Sequence, residues 1–150
     1  MIIGSMGLIF LSVISCSSGQ AHLKNTEATG QVVHINDSLF KQKIFNYTAK
    51  TQWEYAGDKP CIIDFYADWC APCRQMSPLL EEIAKKYEGK LVVYKVDTDK
   101  ERLLSQNMGI SSLPTLVFCP KSGKPQGSVG AASMEDLEKQ INSILLTQNN

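Results

Sequence analysis

The chain has 150 residues, with fifteen Lys and Arg against fifteen Asp and Glu, a net charge of zero and a sequence pI near 6.7. One domain with short appendages is the expectation at this length, which excludes a multi-domain enzyme; the even charge, without a basic stripe, excludes a nucleic-acid surface and a basic membrane patch. At 43% hydrophobic and 20% charged residues, the composition is that of a globular chain with one core and not of a disordered one.

Positions 1 to 15 carry no charged side chain, and Ile2 to Ile14 is an apolar run broken only by Gly and Ser. At about 13 residues it falls short of the roughly 18 to 20 that span a bilayer as a helix, and suits the apolar core of a secretory signal. Val13-Ile14-Ser15-Cys16 resembles the bacterial lipobox, in which a small residue precedes a Cys that is acylated on sulfur and becomes the mature amino terminus. No Lys or Arg precedes the run, which departs from that pattern. Residues 1–15 are therefore expected to be a signal peptide of lipoprotein type, with Cys16 the lipidation site and 16–30, polar and small, a flexible tether. The expected location is the bacterial cell envelope on its periplasmic side, with the membrane reached only through lipid. A hydrophobic helix packed on the domain, or an uncleaved anchor, is the competing reading of the run, and a cytoplasmic protein the alternative location.

Residues 31–150 read as the domain. Gln31 to Ile35 is a short β-rich run, and Asn36-Asp37-Ser38 offers caps for a helix bearing Leu39, Phe40, Ile44 and Phe45. After the Gly57-Asp58-Lys59-Pro60 turn, Cys61 to Tyr66 is a nearly continuous apolar run, as in a strand buried on both faces. Ala71 to Glu88 repeats apolar residues with helical period, and Pro78 inside it predicts a kink through loss of a backbone donor. Leu91 to Val96 reads as a strand, Lys100 to Asn107 as a short helix, Thr115 to Cys119 as a strand, and Ser128 to Gly130 as a last strand. Ser133 caps a final helix that places Leu137, Ile141, Ile144 and Leu145 on one face. The order β-α-β-α-β-α-β-β-α is that of an α/β protein with helices covering a central sheet. The sequence contains no internal repeat.

Cys70-Ala71-Pro72-Cys73 lies where a buried strand turns into a long helix. Two cysteines three apart at a helix start close a small disulfide ring, and the positive end of the helix dipole favours a thiolate at the first. Lowering a thiol pKa from about 8.5 to about 7 needs only about 2 kcal/mol of differential stabilisation, within reach of a helix terminus and local donors. Pro72 suits the first helical turn, and the dithiol is expected to be presented and not buried. Zinc needs two further ligands at suitable spacing, and Cys61, Cys119, His22 and His34 do not offer them; no metal site is expected.

The segment Asp64-Phe65-Tyr66-Ala67-Asp68-Trp69-Cys70-Ala71-Pro72-Cys73 resembles the active-site segment of the thioredoxin family. Pro78 inside the following helix, Lys95 in the next strand and Leu113-Pro114-Thr115 extend the resemblance over about 115 residues. Ala71 stands for the usual Gly and Tyr66 for a common Trp, and a segment around Trp53-Glu54-Tyr55 is extended. The resemblance implies a thioredoxin fold, a central mixed sheet flanked by helices on both faces, and a thiol–disulfide oxidoreductase that reduces protein disulfides. In that reading Cys70 attacks the substrate disulfide and Cys73 resolves the mixed disulfide. Asp64, in too apolar a run for a free carboxylate, either moves a proton to or from Cys73 or is merely paired with Lys95. Lys95 either tunes Asp64 or projects into water. Trp69, Ala71, Pro72, Leu113 and a cis Pro114 form the substrate surface, Asp68 and Arg74 are rim charges, and Trp53 and Tyr55 are core or interface residues.

No cofactor is implied: the sequence lacks a Gly-rich phosphate loop, so electrons come from another protein, a reductase or a membrane thiol carrier. Disulfide-containing proteins are the expected substrates, and the chain is read as a monomer. A cytochrome-maturation thiol reductase and a non-catalytic binding module of the same fold are the alternatives. If the family fold sets Phe65 opposite Thr115, Cys61 falls opposite Cys119 on the neighbouring antiparallel strand, as small buried hydrophobes or as a bridge.

Overall fold

The structure, a computed structural model, describes residues 30–147. The signal peptide, Cys16 and almost all of the tether expected from the sequence lie outside the described residues. The elements are β1 (Val32–His34), α1 (Asp37–Lys43), β2 (Cys61–Tyr66), α2 (Ala71–Lys86), β3 (Val92–Asp97), α3 (Arg102–Asn107), β4 (Thr115–Cys119), β5 (Gln126–Val129) and α4 (Met134–Gln140). A π-helical stretch, Ile141–Leu146, continues α4. The last strand begins two residues earlier than its sequence pattern indicated, because Gln126 and Gly127 already pair with Phe118 and Val117 of β4.

The five strands form one mixed sheet in the order β1-β3-β2-β4-β5. β3 runs parallel to β1 and to β2; β4 runs antiparallel to β2 and β5. The unbroken apolar runs of β2, β3 and β4 are explained by this order, since central strands bury both faces. One face packs Ile63, Phe65, Tyr94, Val96 and Val117 against Phe40 of α1, Ile44 directly after it and Leu104 of α3. The other packs Ile62, Val93, Leu116 and Phe118 against Met76, Leu80 and Ile83 of α2 and Leu137 of α4.

Local chemistry sets the helix starts. The Asn36 side chain accepts from Leu39 N at the head of α1, and the Ser133 hydroxyl accepts from Asp136 N at the head of α4. Such caps contribute about 1 kcal/mol each. Pro78 sits inside α2, which continues on both sides of it. Trp53 and Tyr55 are core-side residues: both pack on the α1 face, Trp53 against Phe45 with ring centroids 4.9 Å apart. The Tyr55 hydroxyl donates to the Lys59 carbonyl at 2.5 Å. A Cβ at Gly57 would overlap the Tyr55 phenol, which leaves glycine the residue that fits there.

Candidate active site

Strand parity assembles the site. Alternate residues of a strand share a face, so Asp64, two residues after Ile62, looks toward α2, as does Lys95, two after Val93. His34, Lys95, Asp64 and Leu116 are successive register partners across β1, β3, β2 and β4. The row thus sets one carboxylate and one ammonium in the centre of the sheet, beneath the first turns of α2.

Cys70 is the N-cap of α2 and Cys73 lies in its first turn. They form a disulfide with Cα atoms 5.3 Å apart, and the Cys73 N–H donates to Cys70 Sγ at 3.2 Å. A thiolate at Cys70 in the reduced protein meets that donor and the positive end of a 16-residue helix. Ala71 and Pro72 occupy the first two helical positions, exposed, where a missing backbone donor costs nothing.

The dithiol is less open than its position at a helix start implies. Cys70 is 4% exposed and Cys73 1%. Ala67, buried after the end of β2, packs with both cysteines, and Tyr66 and Leu113 close over them. The expectation of a presented dithiol is therefore corrected: the loop before Pro114, distant in sequence, covers the disulfide. Leu113–Pro114 is a cis peptide, and the Pro114 carbonyl accepts from Gly130 N at 2.8 Å.

Trp69 stands beside this cover, 69% exposed, with Nε1 donating to Asp99 Oδ2 at 2.8 Å. Trp69, Ile110, Ser111, Ser112 and Leu113 line a cleft of about 540 Å³ together with Thr98 and Ser105. Asp68 and Arg74 are exposed, as expected for rim charges, and Arg74 Nη1 donates to the Asp68 carbonyl at 2.8 Å.

Asp64 is fully buried, and neither carboxylate oxygen has a hydrogen-bond partner among the described residues. Burial pushes its pKa up to about 6, against the opposing pull of Lys95. Lys95 does not project into water: its residue is 7% exposed, Nζ lies 3.5 Å from Asp64 Oδ2, and it donates to Ser77 Oγ at 2.7 Å. Nζ also stands 4.3 Å from the centre of the Tyr66 ring.

Ser77, Asp99, Ser111 and Ser112 were not singled out by sequence reasoning. Ser77 had a signal, its place one turn beyond Cys73 on α2; Asp99 had none, since only the tertiary fold carries it thirty residues back to Trp69.

The thioredoxin family model matches residues 31–143. A thioredoxin of Borreliella burgdorferi is 45% identical over 109 residues, covering 73% of this chain and 93% of the relative. The chain belongs to the thioredoxin family. Thioredoxin 1 of a Nostoc species is 36% identical over 107 residues, with 71% of this chain and 91% of that one covered. The crystal structure of a chloroplastic thioredoxin z superimposes with a TM-score of 0.65 at 27% identity, over 76% of this chain and 94% of that one. The sheet described above is thus the thioredoxin fold, and the protein is a thiol–disulfide oxidoreductase, a protein-disulfide reductase of the thioredoxin type.

Proposed function

We propose that the protein reduces disulfides of exported proteins through a dithiol/disulfide cycle at Cys70 and Cys73. The observation that carries this reading is the Cys70–Cys73 bond at the head of α2, beside an open cleft of about 540 Å³ lined by Trp69 and Leu113. In the reduced protein the Cys70 thiolate attacks one sulfur of the substrate disulfide and expels the other as a thiolate. Asp64 takes the proton of the Cys73 thiol, and the Cys73 thiolate attacks Cys70 Sγ, releasing the second substrate thiol. Two electrons pass to the substrate, and the enzyme is left as the disulfide. Trp69, Ala71, Pro72, Leu113 and Pro114 hold the substrate chain at the cleft.

Cys16 carries the lipid that holds the protein on the periplasmic side of a membrane. The apolar run and the lipobox-like Val13-Ile14-Ser15-Cys16 support this. Electrons then come from a membrane thiol carrier. The reaction is tested by dithiothreitol-driven insulin reduction followed as turbidity. The wild type should turn over and Cys70→Ser should not, while Cys73→Ser should accumulate mixed disulfides with substrate through Cys70. Turnover by Cys70→Ser equal to wild type would remove Cys70 from the chemistry.

A further inference from the structure

Ser77 lies in the second turn of α2, one turn beyond Cys73 and directly before Pro78. Its Oγ accepts from Lys95 Nζ at 2.7 Å and donates to the Cys73 carbonyl at 3.3 Å. Lys95 Nζ is meanwhile 3.5 Å from Asp64 Oδ2, too far for the charge-assisted bond that forms at about 2.7–2.9 Å between an ammonium and a carboxylate. With both groups ionised, such a bond adds the attraction of opposite charges to what the ammonium gains from a neutral hydroxyl. A buried ammonium beside a buried, hydrogen-bond-free carboxylate should therefore close onto it unless something else holds the ammonium. The acceptor that Lys95 Nζ does reach is the serine hydroxyl.

We propose that Ser77 is a positioning residue of the thiol–disulfide reaction: it anchors the Lys95 ammonium beside Asp64 and prevents a direct hydrogen bond between them, keeping the carboxylate able to accept and return the Cys73 proton. This rests on the reading of Asp64 as the proton acceptor. A hydrogen bond donated to a carboxylate favours its ionised form and lowers its pKa further than a nearby charge does alone, which makes it a weaker base toward a thiol. With the ammonium held off, its charge still offsets part of the desolvation of Asp64, yet the carboxylate stays protonatable near pH 6.

The groups that face this cluster come from every element around it. Helix α2 supplies Cys70, Cys73 and Ser77, with Glu81 and Lys85 further along; β1 supplies His34, β2 Tyr66 and β4 the apolar Leu116. His34 has its pKa lowered, by burial first and then by the Lys95 charge. His34, Ser77, Glu81, Lys85 and Lys95 line a cavity of about 310 Å³ that gives the hydroxyl side of the cluster access to water.

The test is a carbon-13 titration of the Asp64 carboxyl in the oxidised full chain, for wild type, Ser77→Ala and Ser77→Thr. In Ser77→Ala the ammonium closes onto Asp64, and the midpoint should fall by about half a unit or more, a threefold or larger change in the ionisation constant. Ser77→Thr keeps the hydroxyl and should titrate with the wild type. A midpoint unchanged or raised in Ser77→Ala, or lowered equally in Ser77→Thr, overturns the proposal. Insulin reduction by Asp64→Asn separates the two failures. Wild-type turnover there overturns the role of Asp64, and with it the reaction role of Ser77. Slow turnover there with no shift in Ser77→Ala overturns the Ser77 proposal alone.

Discussion

Asp64 is the residue at which folding and chemistry pull in opposite directions. Its carboxyl is protonated more readily in the folded chain, with a pKa of about 6, than the usual carboxylate of an unfolded one. Between about pH 4 and pH 6 the folded state therefore holds more protons than the unfolded state, and stability falls as pH rises through that window. The loss is complete above pH 6 and, at 1.36 kcal/mol per unit, amounts to roughly 3 kcal/mol. Asp64→Asn removes the ionisation, so its advantage over wild type in urea unfolding of the oxidised protein should grow by about that amount between pH 4 and pH 7. An advantage that is the same at both pH values would show that Asp64 titrates normally. Trp69 works in the other direction. It leaves a large indole in water beside the disulfide, and the hydrogen bond from its indole nitrogen to Asp99 fixes where that surface points.

At the scale of elements, β2 serves two faces with one alternation. Asp64 lies on the face toward α2, while Cys61, Ile63 and Phe65 face α1 and α3. Cys61 is the register partner of Cys119 on β4, as the antiparallel pairing of Phe65 with Thr115 requires. Both are free thiols with no exposed surface. Burial pushes the Cys119 thiol well up, and contact with the Cys61 thiol adds to the shift. Held protonated, Cys119 is a poor nucleophile and a poor target of oxidation, and both buried thiols pack as small hydrophobes despite their proximity. Thiol counting on Cys16→Ser/Cys70→Ser/Cys73→Ser protein should find no reactive thiol in the native state and two under denaturant, before and after mild oxidation. None under denaturant after oxidation would mean that a bridge forms.

For the whole molecule, the sheet is a platform whose helices carry apolar faces on both sides and whose reactive end lies where β2, α2 and the segment before β4 meet. None of the described helices is long and apolar enough to cross a membrane. Membrane attachment in the proposed reading therefore rests on Cys16, since acyl chains contribute about 0.8 kcal/mol per buried CH₂. Cys16→Ser should move the protein from the membrane fraction to the soluble fraction of cells that express it. A membrane fraction unchanged by the substitution would place the anchor in the apolar run itself, and a soluble wild type with Met1 intact would overturn export.

Local pattern alone determined much of this protein. The apolar runs Cys61 to Tyr66 and Thr115 to Cys119 are strands with those same bounds, because a central strand buried on both faces leaves no polar alternation to blur its ends. Cys70 at the head of α2 was legible for the same reason: a strand, a turn and an amphipathic helix follow one another in the sequence, so their junction is local. The tail of α4 was not, since its apolar face reads as ordinary helix and the π-helical widening at Ile141–Leu146 arises where it packs on β4. What only the tertiary structure decided is what surrounds the two sulfurs. Leu113 closes over them from a loop forty residues away, Asp99 reaches Trp69, and Ser77 takes the hydrogen bond of Lys95 from a different element of the chain. Contacts of this kind depend on crossing distances between helix and sheet of a few ångströms, and neither residue type nor spacing encodes them; the parallel register of β2 with β3 places Asp64 and Lys95 side by side, but whether an ammonium leans on a carboxylate or on a hydroxyl is set by packing.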